Sequence, residues 1–215
     1  MIVVTGKQTV EISAREMEEL AARYEELVID LGTGDGRFAL SYAREYPRRL
    51  VIGVDPVAEA MSELASRARR KRDRQDNLLY VVASAERPPE ELRGHTDRLF
   101  VILPWGSLMR GLILGTPEIL SGIATLCKPG SPITALLNTR IYADPVPLEA
   151  LGLPELSPEY VASELQPRYA AHGLELASVD DLAPEALLEL PSTWGKRLSH
   201  RDPPPTLRLE LRRRA

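Results

Sequence analysis

Cysteine and histidine are scarce in this 215-residue chain, with one of the first and three of the second. The single thiol, Cys127, cannot close an internal disulfide and reads as a small buried apolar side chain. His95, His172 and His200 stand far apart, and none has a partner at metal-ligand spacing, which argues against a zinc site. No apolar run approaches the length that spans a membrane. The opening MIVVTGKQ has neither a charged segment nor a long apolar one, so no signal peptide is predicted and the expected location is the cytoplasm. A formal net charge of −4 excludes a chain that is basic throughout. Tryptophan occurs only twice, as Trp105 and Trp194.

What is present is enough apolar material, 44% of residues, to build a real core in one large domain spanning residues 1–215. Charge is clustered. Six of the eight residues 67–74 are Arg or Lys, and residues 196–201 and the end of the chain are basic as well. Such runs serve either as solvated helix faces or as contacts to an acidic partner.

Residues 1–12 read as a hairpin around Gly6-Lys7, and Ser13 with Glu16 three residues later forms a capping box that opens a helix. Beyond it, short all-apolar runs (LVIDLG, LVIGVD, LLYVVA, LFVIL, PITALLN) alternate with helical stretches at about residues 37–46, at about 57–71, and over PEILSGIATLCKPG, closed by its Pro-Gly. That alternation predicts an α/β domain whose mostly parallel sheet is covered by helices on both faces. Residues 144–172 form a late insertion of loop and helix, in which Pro167 is expected to kink or split the helix. LELASV and TLRLELR alternate in the manner of a final strand pair.

The chemistry concentrates in DLGTGDG, which joins the first strand of the alternating series to its helix. Gly32, Gly34 and Gly36 allow a sharp turn and a close approach of backbone to a ligand, although the same glycines also suit a plain tight turn. Asp55 ends the next strand and faces the same crevice, placed to hold ribose hydroxyls. The spacing departs from the G-x-G-x-x-G of dinucleotide sites. The carboxylate of Asp30 before the loop would repel a pyrophosphate and suits the ammonium and sulfonium charges of S-adenosylmethionine. Glu86, in ASAERPP after the third strand, either reaches an adenine edge or opens a short helix. Trp105 stands at a Pro-Trp-Gly corner where an apolar strand ends, a poor place to bury a ring unless it packs under the late insertion.

The combination of DLGTGDGR, GVDP, ASAERPP, LPWGSLMRG and STWGKRL resembles the kanamycin–apramycin resistance methyltransferases, over nearly the whole chain and including the GKQTVEIS hairpin. PWGSL followed about 90 residues later by TWGKRL is its most specific element. The resemblance implies a class I methyltransferase fold, Rossmann-like, with a mostly parallel seven-stranded sheet and an added N-terminal hairpin. It implies S-adenosylmethionine as cofactor, held by Asp30, Gly32, Thr33, Gly34, Asp55, Pro56, Ala85, Glu86, Ile102, Ser107 and Ser192. It further implies methylation of N1 of adenine 1408, in the aminoglycoside-binding decoding site of 16S rRNA in the 30S subunit. Trp105 and Trp194 would hold the flipped base, and Arg67, Arg69, Arg70, Lys71, Lys196, Arg197 and Arg201 would contact rRNA. The sequence departs from the family after this last group, where Asp202 and three prolines replace a further basic residue.

Adenine N1 carries an in-plane lone pair and needs no general base, which matches a set of motifs without His or Cys. Cys127 lies away from every motif, excluding a cysteine-dependent carbon methyltransferase. The expected species is a monomer without metal. Two competing readings are a methyltransferase of the same fold acting on tRNA or a small metabolite, and a non-catalytic cofactor-binding module. The two-tryptophan pattern argues against a small metabolite but leaves tRNA open.

Overall fold

In the computed structural model of the chain, the residues described are 1–70, 72–138, 152–183, 185–186 and 205–215. The chain opens with β1 (Ile2–Val4), β2 (Thr9–Glu11) and α1 (Ala14–Ala21). It continues through β3 (Glu26–Leu31), α2 (Arg37–Glu45), β4 (Arg49–Asp55), α3 (Ala58–Ala68), β5 (Leu78–Val82) and β6 (Arg98–Ile102). Next come α4 (Gly106–Leu114), α5 (Pro117–Leu126) and β7 (Pro132–Asn138). After the insertion the chain forms α6 (Pro158–Tyr160), a π-helical turn (Val161–Leu165) and α7 (Gln166–Ala171), then β8 (Leu174–Asp181) and β9 (Thr206–Arg213).

The strands form one nine-stranded sheet in the order β2-β1-β5-β4-β3-β6-β7-β9-β8. The five strands β5, β4, β3, β6 and β7 are parallel, and β9 and β8 close the far edge antiparallel to their neighbours. Seven of these, β3 to β9, are the expected mostly parallel sheet, and the other two are the expected hairpin. The N-terminal hairpin does not stand apart: β1 pairs with β5 through Val3 and Val81 and extends the sheet by two. The hairpin has a physical reason to dock, because Val4 is buried under the α3 stripe of Met61, Leu64, Ala65 and Ala68.

The parallel strands are buried on both faces, so they read as unbroken apolar runs. Leu27, Ile29, Leu31, Leu99, Val101, Ile133 and Ala135 turn to one core, packed by α4, α5 and the insertion helix, while Val51, Leu78 and Tyr80 meet α2 and α3 on the other face. The α1 capping box is formed as read, with the Glu16 amide donating to Ser13 Oγ and the Ser13 amide to the Glu16 carboxylate. Against the expectation of a kink or split at Pro167, residues 158–171 stay helical without a break. The π turn immediately before it absorbs the backbone pairing that a ring without an N–H cannot supply. The α3 helix ends at Ala68, three residues before the expected end at 71. α4 has no counterpart in the sequence reading.

Candidate active site

The strand order reverses at β3, with β4 on one side and β6 on the other. Above that switch point the carboxyl ends of β3, β4, β5 and β6 open a cleft of about 580 Å³, in the size range of small-molecule sites. Every proposed cofactor residue within the described part of the chain lines it: Asp30, Gly32, Thr33, Gly34, Asp55, Pro56, Ala85, Glu86, Ile102 and Ser107. Trp105 stands in the same wall. Ser192, Trp194, Lys196, Arg197, Arg201 and Lys71 lie outside the described residues.

The β3–α2 loop is tied down from two sides. The amides of Gly32 and Thr33 both donate to the Val54 carbonyl, at 2.8 and 3.0 Å, which fixes the loop against β4. Gly36 adopts φ +80°, and a Cβ there would run into the Tyr80 ring, whose hydroxyl donates to the Gly36 carbonyl at 2.7 Å. Only glycine meets both demands, so the loop's last glycine serves packing and the first residues of α2 follow from it.

Asp30 is 2% exposed on the cleft floor, and its carboxylate accepts hydrogen bonds from Thr33 Oγ1 and the Ala39 amide. Burial pushes its pKa up to about 7, with the Asp55 and Asp35 charges adding to the rise against the opposing Thr33 bond. Asp55 accepts from the Gly34 amide at 3.0 Å on one oxygen and from the Val57 amide at 2.9 Å on the other. Each oxygen keeps a lone pair for a hydroxyl donor in the cleft. Burial raises the Asp55 carboxyl too, and the two amides oppose it. Burial also pushes Glu86 up, but hydrogen bonds from Ser107, its own backbone and Ser84, together with Arg87, outweigh that and hold it below its usual range. Glu86 thereby links the loop after β5 to the first turn of α4, where a negative charge is favoured.

The Trp105 ring is 43% exposed at the lip of the cleft and does not pack into the core. Its backbone caps α4, and the turn that presents it is strained. Leu103 has φ 50°, and among the described residues no other non-glycine has positive φ. That conformation disfavours a leucine, and the surroundings impose it: the side chain is buried beside Leu136 and the amide donates to the Leu136 carbonyl at 3.0 Å. Sequence reasoning missed Leu103, whose signal exists only as a dihedral angle. It also missed the apolar lining residues Leu31, Phe38, Val54, Val57, Ala83 and Leu108, of which Phe38 is set edge-on to Phe100 at 5.2 Å.

Among the described residues, the charged groups lining the cleft are Asp30, Asp35, Asp55 and Glu86; no Lys, Arg, His or Cys lines it. An all-acidic wall is hostile to pyrophosphate and complementary to a cofactor carrying sulfonium and ammonium charges. Free lone pairs on Asp55 suit a ribose, and the exposed Val57 beside Pro56 offers an apolar face to a flat ring. The donor set fits S-adenosylmethionine.

Sheet order, glycine loop and acidic cleft together define a class I methyltransferase dependent on S-adenosylmethionine. The family described as NpmA: 16S rRNA (adenine(1408)-N(1))-methyltransferase matches residues 2–211, and the chain belongs to that family. A protein of that description from Streptoalloteichus tenebrarius is 40% identical over 202 residues, 93% of each chain. The crystal structure of a tryptophan-to-alanine variant of the 16S rRNA (adenine(1408)-N(1))-methyltransferase from Catenulisporales acidiphilia, with cosubstrate SAM, superposes with a TM-score of 0.93 at 36% identity. It covers 100% of this chain and 97% of its own. The 16S rRNA methyltransferase KamB superposes at 0.91 with 38% identity, covering 100% of both chains.

Arg67, Arg69 and Arg70 lie away from the cleft at the C-terminal end of α3. Arg67 pairs with Asp73 at 3.5 Å, and Arg69 and Arg70 are exposed.

Proposed function

We propose that the chain, as a single methyltransferase domain, methylates N1 of adenine 1408 in the decoding site of the assembled 30S subunit and so confers resistance to aminoglycosides such as kanamycin and apramycin. The observation that carries this reading is the half-exposed Trp105 ring beside the acidic cofactor cleft. A base inside structured RNA must leave its stack to react, at about a few kcal/mol. Stacking on an aromatic face returns roughly 1–3 kcal/mol per base, and Trp194 would supply the second face. Bound S-adenosylmethionine supplies an electrophilic methyl on a sulfonium. Asp55 holds the ribose, Asp30 faces the cationic amino-acid end, and Glu86 and Ser107 hold the adenine end. Gly32, Thr33, Gly34, Pro56, Ala85, Ile102 and Ser192 complete the cofactor's surroundings.

The protein's contribution is alignment, not proton transfer. The nucleophile brings its own lone pair, and among the described residues the ionisable side chains lining the cleft are all carboxylates. Flanking indoles favour the cationic ring that forms as the sulfonium charge is lost. Arg67, Arg69, Arg70, Lys71, Lys196, Arg197 and Arg201 hold rRNA phosphates around the flipped base. Among the described residues no helix is long and apolar enough to cross a membrane, and we place the enzyme in the cytoplasm as a monomer that needs no metal. The test offers methyl-labelled cofactor with 30S subunits, naked 16S rRNA and tRNA in parallel. Label in the 30S subunits is expected, and label confined to tRNA would overturn the assignment.

A further inference from the structure

The turn of the N-terminal hairpin sits against the end of α3, and this places a further cation, Lys7, beside the arginine run. Gly6, at φ +93°, approaches α3 so closely that a Cβ on it would lie 2.6 Å from Ser66 Oγ and 3.6 Å from Ser66 Cα. The turn is closed by the Thr5 amide and hydroxyl, which donate to the Gln8 carbonyl at 2.8 and 3.2 Å. The exposed Lys7 is therefore held on a short, anchored loop next to Ser66. Ser66 lies in the last turn of α3, and Arg69, the C-cap, and Arg70, held by its amide to the Arg67 carbonyl at 3.0 Å, follow within four residues of it.

The acids of this segment are already engaged. Asp73 pairs with Arg67 and Asp76 with Arg74, at 3.5 and 2.6 Å. Among the described residues, the side chains of Lys7, Arg69 and Arg70 make no ion pair or hydrogen bond. Three exposed cations without an internal partner on neighbouring segments leave their charge available to an external anion. In a chain of net charge −4 their clustering is local.

We propose that Lys7 forms one phosphate-binding surface with Arg69 and Arg70, and that this surface grips the 16S rRNA backbone; it rests on the reading of the arginines as rRNA contacts. The hairpin is thus a second arm of the interface, besides being an edge of the sheet. Phosphate contacts set register and orientation, so Lys7 helps aim the cleft at its target. The test is 30S binding as a function of salt for wild type, Lys7→Gln, Lys7→Arg and the Arg69→Gln/Arg70→Gln pair, with cofactor affinity and melting temperature measured alongside. Losing one phosphate contact lowers the slope of log affinity against log salt by roughly 0.7–0.9, up to about eightfold in affinity at 0.1 M relative to 1 M salt. Lys7→Gln should show that loss, Lys7→Arg should retain the slope, and neither should change cofactor affinity or melting temperature. A wild-type slope for Lys7→Gln alongside a reduced slope for the arginine pair would overturn the proposal alone. Unchanged slopes in both would overturn the reading beneath it. Weaker binding at unchanged slope would assign Lys7 to a protein surface, which carries no condensed counterions, and would also refute the proposal.

Discussion

Replacing Asp30 by Asn should make the protein more stable and a worse cofactor binder. Asp30 is 2% exposed, and burial raises its pKa from the ordinary 3.8 to about 7. A carboxyl whose folded pKa is raised binds more protons in the folded than in the unfolded state between those two values. Stability therefore falls as pH rises through that window, by about 1.4 kcal/mol per pH unit. Over some three units the sum is about 4 kcal/mol, an upper bound that local relaxation reduces. Below pH 4 the group is protonated in both states and contributes nothing; above 7 the full penalty is present. The side-chain amide in Asp30→Asn would keep an oxygen for the Thr33 hydroxyl without the charge. Denaturant unfolding of the cofactor-free proteins across pH 4 to 8 should show wild type losing ground to Asp30→Asn up to about pH 7 and no further. Calorimetry should show wild-type affinity for S-adenosylmethionine rising roughly tenfold from pH 6 to pH 8, as the ionised fraction rises from about 0.1 to about 0.9, with the variant weak and flat. A stability difference independent of pH would refute the claim that a desolvated charge is held on the cleft floor for a cationic ligand.

Asp55→Ala removes the two lone pairs left for a ribose and should weaken cofactor binding by roughly 1–3 kcal/mol in calorimetry, with a modest fall in melting temperature because the Gly34 and Val57 amides lose their acceptor. Tyr80→Phe removes the 2.7 Å donor of the Gly36 carbonyl, which keeps the Leu40 amide at 3.0 Å; the change should destabilise the fold by about 0.5–1.5 kcal/mol and loosen the loop, seen as a lower melting temperature and a weaker cofactor affinity together. Trp105→Ala should keep fold and cofactor affinity and lose most methyl transfer, while Trp105→Phe retains more. A core tryptophan would instead cost about 3–5 kcal/mol of stability on truncation, visible in the melting temperature first.

The alternation of β3 to β7 with helices was legible because parallel strands buried on both faces leave unbroken apolar runs, and the Ser13 cap was legible because it is a local rule; that a π turn would let the helix run on through Pro167 was not. The hairpin's partner was not, since which edge a short strand joins depends on Val4 finding the α3 stripe, a contact remote in sequence. The α4 helix was hidden by Gly106 and Gly111; the second is there because Ile119 of α5 leaves no room for a side chain. In the site, Asp30 and Asp55 announced themselves by charge at the ends of apolar strands and Glu86 by charge in a turn. Val57, Phe38 and Leu103 carry no chemical signal and enter the cleft only through the path of the backbone.

The most direct test of the central claim is reverse transcription across the decoding site of 16S rRNA, after 30S subunits have been incubated with the enzyme and S-adenosylmethionine. A methyl on N1 blocks Watson–Crick pairing, so the account predicts a cofactor-dependent stop at adenine 1408 that Trp105→Ala nearly abolishes. Full read-through at that position, or a stop as strong with Trp105→Ala as with wild type, would contradict it.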